Sequence, residues 1–89
     1  MSIKNKITTD YYKVMELLYY NQITVNYETF VPLTQTDIAK MMNLNRMTIN
    51  SIFKQLKKDE LLVNVPSSTK RYFLSTKAIE IVKKIKSIK

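Results

Sequence analysis

The 89 residues include no cysteine, no histidine and no glycine, and each absence excludes a class of site. Without cysteine there is neither a disulfide framework nor a thiol nucleophile. Without histidine the chain lacks the commonest metal ligand and the commonest general base. Without glycine, phosphate-binding loops of the GxGxxG or GxxxxGK[ST] type are excluded. We therefore expect a binding protein that is not an enzyme and that has no metal or other cofactor.

Long apolar runs are also absent. No segment is long enough to span a bilayer, and the first ten residues, MSIKNKITTD, lack the apolar core of a secretory signal. We expect a cytoplasmic protein that forms a single domain over residues 1–89, with its core at about residues 10–86. A domain of this size buries only roughly 60–65% of the surface that its unfolded chain exposes.

The net charge of +8 lies in the second part of the chain. Residues 1–34 contain three lysines and three acidic residues, whereas residues 35–89 contain twelve basic and four acidic residues. A one-sided basic excess indicates a polyanionic partner, either nucleic acid or an anionic membrane. The alternative is a lysine-rich surface that is merely solvated.

The first part of the chain predicts one helix and a connection. Residues 9–21 form an amphipathic helix, capped by Thr9 or Asp10, whose apolar residues recur at i, i+3, i+4 and i+7: Tyr11, Val14, Met15 and Leu18. Residues 21–32, NQITVNYETFVP, show no clean alternation of apolar and polar residues. We interpret them as a connection that ends in a short extended segment, because the residue before Pro32 is disfavoured in helical geometry.

Two short helices separated by a tight turn follow. Thr34 is a predicted N-cap with an acidic residue three positions later, and it opens a helix whose apolar residues are Ile38, Ala39 and Met42. Asn43 suits a left-handed helix end and Asn45 suits the N-cap of the third helix. One face of that third helix is predicted to be buried, through Ile49, Ile52, Phe53 and Leu56.

The chain then predicts a hairpin and a last helix. The segment ELLVNV has strand character, and PSST fits a four-residue loop with Pro66 at the second position of a type I turn. KRYFLS is the return strand, with Tyr72 and Leu74 facing inward. Ser75 or Thr76 caps a final helix with the apolar positions Ala78, Ile81, Val82 and Ile85.

This order of elements resembles the winged-helix DNA-binding superfamily over about residues 10–86. The segments that carry the resemblance are LTQTDIAKMMNLNRMTINSIFKQLKKDELL and the hairpin VNVPSSTKRYFLS. The resemblance implies an α+β fold that is mostly α, a winged helix-turn-helix with a small antiparallel hairpin. It also implies sequence-specific binding of double-stranded DNA by a homodimer, and no small-molecule effector is expected from a chain without an effector domain.

Within the superfamily the chain is similar to TubR-type adaptors of plasmid and phage partition systems. The similarity lies in the spacing from Leu33 through YFLSTKAIEIVKKIK and in the lack of an effector domain. It implies a centromere-binding protein that can also repress transcription, with a tubulin-like GTPase as partner. The alternatives are a dedicated repressor of the MarR/ArsR-like type and a winged helix that only binds proteins.

The third helix provides the predicted reading surface. With its apolar stripe turned inward, the opposite face carries Met47, Ser51, Lys54 and Lys58, flanked by Asn50 and Gln55. Arg46 lies in the first turn, the end of a recognition helix that usually meets base edges. The planar guanidinium can bind guanine O6 and N7 together or clamp a phosphate, which an ammonium group cannot do.

Arg71, the second of only two arginines, lies beside Lys70 in the predicted wing, where narrow A·T-rich minor grooves attract arginine. Exposed lysines, among them Lys40, are expected to contact phosphates without reading sequence. The alternative is that both arginines are ordinary surface residues. The full set of candidate DNA-binding residues is Gln35, Asn45, Arg46, Met47, Thr48, Asn50, Ser51, Lys54, Gln55, Lys57, Lys58, Lys70 and Arg71.

Aromatic residues outside the core stripe of the first helix predict an interface between two copies of the chain. Amphipathic aromatic surface of this kind is commonly buried against a partner. The candidates are Tyr12, Tyr19 and Tyr20, together with Met47 of the third helix. The basic last helix, ending KKIKSIK, could join this interface or lie on a membrane, but its apolar stripe favours a place in the core and no membrane contact.

Overall fold

Four helices and two antiparallel hairpins follow one another along the chain. A computed structural model describes residues 3–66 and 68–88. The elements are α1 (Ile3–Tyr20), β1 (Ile23–Val25), β2 (Glu28–Phe30), α2 (Gln35–Met42), α3 (Arg46–Lys58), β3 (Leu62–Val65), β4 (Ser68–Leu74) and α4 (Thr76–Ile88). This is the architecture of a winged helix, in which the β3–β4 hairpin is the wing.

The core is built from the apolar stripes that the sequence predicts. Every predicted core residue of α3 is buried, and so are Tyr72 and Leu74 of the wing. From α1 and α4 the core receives Val14, Met15, Leu18, Ala78 and Val82. Because α4 packs its apolar side inward, its lysines are left on the solvent side of the domain. No helix in residues 3–66 and 68–88 is long and apolar enough to cross a membrane.

Helix α1 is longer than its apolar pattern indicates. It begins at Ile3, so Thr9 and Asp10 lie inside the helix and the predicted cap at these residues is wrong. No glycine or proline stands between Ile3 and Thr9 to end the helix, and periodicity alone cannot locate the start of a polar extension. The Tyr11 hydroxyl donates to Asp59 Oδ2 at 2.6 Å and so joins α1 to the end of α3. Burial, followed by this hydrogen bond, raises the pKa of Tyr11.

Residues 21–32 form a hairpin, not the simple connection predicted from the sequence. Strand β1 pairs antiparallel with β2, with Ile23 opposite Phe30, and the hydroxyls of Thr24 and Thr29 are 2.8 Å apart. The loop is Asn26–Tyr27, where both residues have positive φ, 52° and 69°. Positive φ at both central residues is the geometry of a type I′ turn, which glycine usually marks. The hairpin was missed because tyrosine occupies that glycine position.

The helix-turn-helix is fixed by the predicted caps. The Thr34 hydroxyl accepts from the N–H of Asp37, whose carboxylate accepts from the N–H of Thr34, a complete capping box. Hydrogen bonds from Thr34 hold the pKa of Asp37 below its usual range. Asn43 ends α2 in the left-handed region with φ 57°, and Asn45 Oδ1 accepts from the N–H of Thr48 at 2.8 Å at the start of α3. These three predictions are confirmed.

The end of α3 and the start of α4 are connected. After α3, Glu60 has a φ of 62°, and Leu61 donates its N–H to the carbonyl of Leu56 at 2.9 Å, as in a Schellman-type helix end. The Ser75 hydroxyl donates to the carbonyl of Glu60 at 2.9 Å and accepts from the N–H of Ala78 at 3.3 Å. Ser75, one of the two residues predicted for this position, is therefore the N-cap of α4. Its hydrogen bond to Glu60 holds the start of α4 next to the end of α3.

The loop at the tip of the wing is shorter than predicted, and the pairing of its strands is less regular. Strand β4 already begins at Ser68, which pairs with Val65, so a four-residue loop at PSST is wrong. Ser67 lies outside the described residues, and with it the turn type predicted for Pro66. The neighbouring residues Asn64 and Val65 pair with Tyr72 and Ser68, so residues 69–71 lie in a bulge of β4. Such bulges bend a strand and redirect its side chains.

Tyr72 holds the wing against the helix-turn-helix. Its hydroxyl donates to the carbonyl of Leu33, just before α2, and its ring meets Phe53 of α3 edge-on with centroids 5.0 Å apart. Its own carbonyl accepts from the N–H of Val31 at 2.8 Å. Burial raises the pKa of the Tyr72 hydroxyl. One residue thus fixes the positions of the wing, α2 and α3.

We expect Tyr72→Phe to lower the free energy of unfolding by about 1 kcal/mol, because it leaves the Leu33 carbonyl without this donor. Urea denaturation followed by circular dichroism measures the change. Tyr27→Phe is the matched control, since the Tyr27 ring is fully exposed at the tip of the first hairpin and the loss of its hydroxyl should change stability little. Equal stability of the Tyr72→Phe variant and the wild type would contradict the role assigned to this hydroxyl.

Candidate nucleic-acid interface

The outer face of α3 is exposed along its length. Turning Ile49, Ile52 and Phe53 inward leaves the predicted reading residues on the other side of the helix. Exposed there are Arg46, Met47, Asn50, Ser51, Lys54, Gln55, Lys57 and Lys58. Met47 is 82% exposed, which is unusual for a large apolar side chain. Amide, hydroxyl, guanidinium and ammonium groups thus lie together on the exposed face of α3.

A groove extends from this face between α2, α3 and the wing. Two adjoining concave regions share Gln35, Arg46 and Asn50. The groove brings together residues from three elements, namely Thr34, Gln35 and Thr36 at the start of α2, Arg46, Met47, Asn50, Phe53 and Lys57 of α3, and Asn64 and Tyr72 of the wing. We call this the α2–α3–wing groove. Of the predicted set, it unites Gln35, Arg46, Met47, Asn50 and Lys57.

Besides Tyr72, three polar groove residues were not among the DNA-binding residues predicted from the sequence. Thr34 and Thr36 flank Gln35 in the first turn of α2, and Asn64 lies on β3. The signal for the threonines was the predicted N-cap itself, because a helix start that carries free N–H groups is a natural anion-binding position. Asn64 could not be found in this way, since its place in the groove depends on how the wing packs.

Two predicted reading residues have other partners. The Asn45 side-chain oxygen accepts the N–H of Thr48 as the cap of α3, so its first role is to start the helix. Gln55 donates to Asp59 Oδ1 at 3.0 Å, near the C-terminal end of α3 and about 14 Å along the helix from Arg46. Hydrogen bonds from Tyr11 and then Gln55 lower the pKa of Asp59, so the carboxylate remains charged at neutral pH.

The wing arginine is held by the first hairpin. The Arg71 guanidinium lies 4.4 Å from the centre of the Phe30 ring, and its Nη1 lies 3.9 Å from Glu28 Oε1. Its side chain is still 54% exposed. Arg71 is therefore accessible but has a defined orientation. The side chain of Lys70, the other predicted wing residue, lies outside the described part of the chain.

The predicted dimer residues of α1 differ in exposure. Tyr12 and Tyr20 are exposed, whereas Tyr19 is half-buried and packs against the core, so it offers less surface to a partner than the other two. Lys86 of α4 lies 4.2 Å from the centre of the Tyr20 ring and 5.7 Å from that of Tyr19. Its interaction with Tyr20 raises the pKa of Lys86. The outer faces of α1 and α4 thus form one aromatic and basic surface.

Solved structures with a similar fold include an S. aureus MepR–DNA complex, with a TM-score of 0.68 and 23% identity over 89% of this chain and 54% of that one. A MepR mutant from a multidrug-resistant S. aureus clinical isolate has a TM-score of 0.70 and 26% identity over 96% of this chain and 59% of that one. An apo mutant of Lactococcus lactis ZitR has a TM-score of 0.67 and 16% identity over 94% of this chain and 59% of that one. The chain therefore spans only 54–59% of the length of these three relatives in fold.

These likenesses agree with the winged-helix architecture predicted from the sequence and observed here. No curated protein matches the sequence significantly. The similarity to TubR-type adaptors receives no support from the comparisons. The family model of the Crp-like helix-turn-helix domain matches residues 13–74, from within α1 to the end of the wing. With most of its length matched, including the helix-turn-helix and the wing, the chain belongs to the family of Crp-like helix-turn-helix domains.

Proposed function

We propose that the protein is a sequence-specific double-stranded DNA-binding protein that represses transcription and has no enzymatic activity. The observation that carries the proposal is the α2–α3–wing groove, which places Gln35, Arg46 and Asn50 beside one another on an exposed surface. The similarity of the fold to a MepR–DNA complex supports this choice of ligand. The chain's net charge of +8 supports an anionic ligand.

In this proposal α3 enters the major groove with its N-terminal turn leading. Arg46 and Asn50 are one turn apart on its exposed side, and their side chains can each form two hydrogen bonds to a base edge, arginine to guanine and asparagine to adenine. Lys54, Lys57 and Lys58 lie further along α3, where phosphate contacts position the helix. Gln35 and the free N–H groups at the start of α2 face the neighbouring backbone.

Repression is favoured over the partition role because the supporting structural likenesses are to MepR and ZitR. We expect the purified protein to enrich, from fragments of its own genome, sites that overlap promoters. The Arg46→Ala variant should enrich far fewer of them. Enrichment of clustered repeats beside a gene for a tubulin-like GTPase would contradict a dedicated repressor and support a TubR-like adaptor.

Arg46 and Lys57 should contribute to DNA binding in different ways. Arg46→Ala should cost about 1–3 kcal/mol of binding free energy at the preferred site and reduce discrimination between sites, because a bidentate base contact is lost. Lys57→Ala should weaken binding to all duplexes equally, because a phosphate contact carries no sequence information. Fluorescence anisotropy with a selected and a random duplex measures both effects.

Two further variants serve as controls for these measurements. Arg46→Lys keeps the charge but not the planar fork, so it should restore affinity for random DNA more than discrimination. Lys84→Ala removes a charge from the exposed side of α4 and should change neither the affinity for DNA nor the discrimination between duplexes. An equal loss for Arg46→Ala on selected and random duplexes would show that Arg46 does not read bases.

We infer that the protein acts as a homodimer through the aromatic and basic surface of Tyr12, Tyr20 and Lys86, on the side of α4 away from Glu80 and Lys84. The support is the surface of Tyr12, Tyr20 and Lys86, on a domain small enough to gain stability from association. We expect a dimer in sedimentation experiments at micromolar concentration without DNA. Replacement of Tyr12 and Tyr20 by serine should give a monomer, whereas Tyr27→Ser, at the fully exposed tip of the first hairpin, should not. A wild-type monomer throughout would contradict this interface.

A further inference from the structure

The first hairpin contacts the side chain of Arg71 in the wing, in addition to the hydrogen bonds that join Gln22 and Val31 to β4. Glu28 and Phe30 are two residues apart on β2, and alternate residues of a strand face the same side. Both point to Arg71, Phe30 through its ring at 4.4 Å and Glu28 through a carboxylate oxygen at 3.9 Å. Phe30 is only 7% exposed, and the guanidinium lies over its largely covered ring. The hairpin therefore keeps a carboxylate beside the wing arginine.

The two contacts differ in what DNA would do to them. A guanidinium can remain stacked on an aromatic ring while its edges form hydrogen bonds to another anion. The contact with Glu28 uses one such edge, and DNA phosphates compete for it directly. The pair is long and exposed, with side-chain exposures of 54% for Arg71 and 40% for Glu28, so exchange of one anion for another is easy.

We propose that Glu28 is an affinity-determining residue that competes with DNA for Arg71. The inference rests on the proposed function, and it adds a role for the first hairpin, which lies outside the helix-turn-helix and the wing. Phe30 keeps the guanidinium in place. The Glu28 carboxylate is its ion-pair partner until a DNA anion replaces that carboxylate. A duplex that engages the edge of Arg71 held by Glu28 must displace that carboxylate, so the free chain binds DNA less tightly than its charge would allow.

The competition has a defined consequence for sequence preference. Where the DNA attracts Arg71 strongly, as a narrow A·T-rich minor groove does, the guanidinium exchanges the Glu28 carboxylate for DNA, and binding is weakened by the cost of that exchange. Where the DNA attracts Arg71 weakly, the arginine stays with Glu28 and no exchange occurs. Glu28 therefore lowers affinity most at the flanks that Arg71 prefers, and it narrows the difference between A·T-rich and G·C-rich flanks.

The test is a double-mutant cycle between Glu28→Gln and Arg71→Ala. The probes are two duplexes with one common centre, selected in vitro by the wild-type protein, and with A·T-rich or G·C-rich flanks. We expect Glu28→Gln to raise affinity for the A·T-flanked duplex by about two- to five-fold, the range for an exposed ion pair. The gain for the G·C-flanked duplex should be no larger. In the Arg71→Ala background the gain should be lost.

Glu80→Gln on α4 is the matched control, because it removes the same charge from an exposed position away from the wing. Melting of each variant confirms that the fold is retained, and Glu28→Ala repeats the measurement with a shorter side chain. A gain no larger than that of Glu80→Gln, or one that persists in Arg71→Ala, overturns the competition while leaving DNA binding intact. Failure of the wild type to bind any duplex overturns the proposed function itself.

Discussion

The hydrogen bond from the Tyr72 hydroxyl to the Leu33 carbonyl joins the wing to the start of α2, and the shape of the groove depends on it. The same ring packs edge-on against Phe53, on the buried side of α3. Because rings in this arrangement have preferred distances and angles, the contact limits how the wing can tilt relative to α3. The groove walls are thus positioned by an aromatic residue that is itself part of the groove floor.

The polar groups near the groove separate into structural and available ones. Asp59 receives both the Tyr11 hydroxyl and the Gln55 amide, so α1 and α3 are joined at the end of the helix remote from Arg46. Asn45 and Thr34 are used as caps, which set the directions of α3 and α2. Capping consumes one acceptor on each side chain and leaves the neighbouring Arg46 and Gln35 unconstrained. A binding surface and its support are therefore made from adjacent residues in sequence.

Features that depend on local chemistry could be predicted from the sequence. The caps at Thr34 and Asn45 and the left-handed Asn43 require only side-chain properties and spacing, and all three are present. The Asn26–Tyr27 turn could not be predicted, because tyrosine with positive φ is chosen by the pairing of β1 with β2 and not by its own preference.

The same limit applies to the candidate site. The exposed face of α3 follows from the helical period, so its residues could be identified in advance. The contacts of Arg71 with Glu28 and Phe30 join residues far apart in the chain, and nothing in the spacing indicates them. Gln55 lies on the predicted face, but its bond to Asp59 depends on where α3 ends. The binding surface could therefore be predicted from the sequence, whereas the partners of its side chains could not.

Left-handed residues in a chain without glycine have a consequence for how the domain can change in evolution. Tyr27 and Glu60 both have positive φ, which costs a residue with a Cβ atom about 1–2 kcal/mol. Glycine would remove that strain and lose roughly 0.5–1 kcal/mol to the greater freedom of the unfolded chain. Mutation of either turn to glycine is thus a route to added stability that leaves the groove untouched. A new DNA target would require substitutions on the exposed face of α3. The stability that such substitutions cost can be recovered by glycine in place of Tyr27 or Glu60.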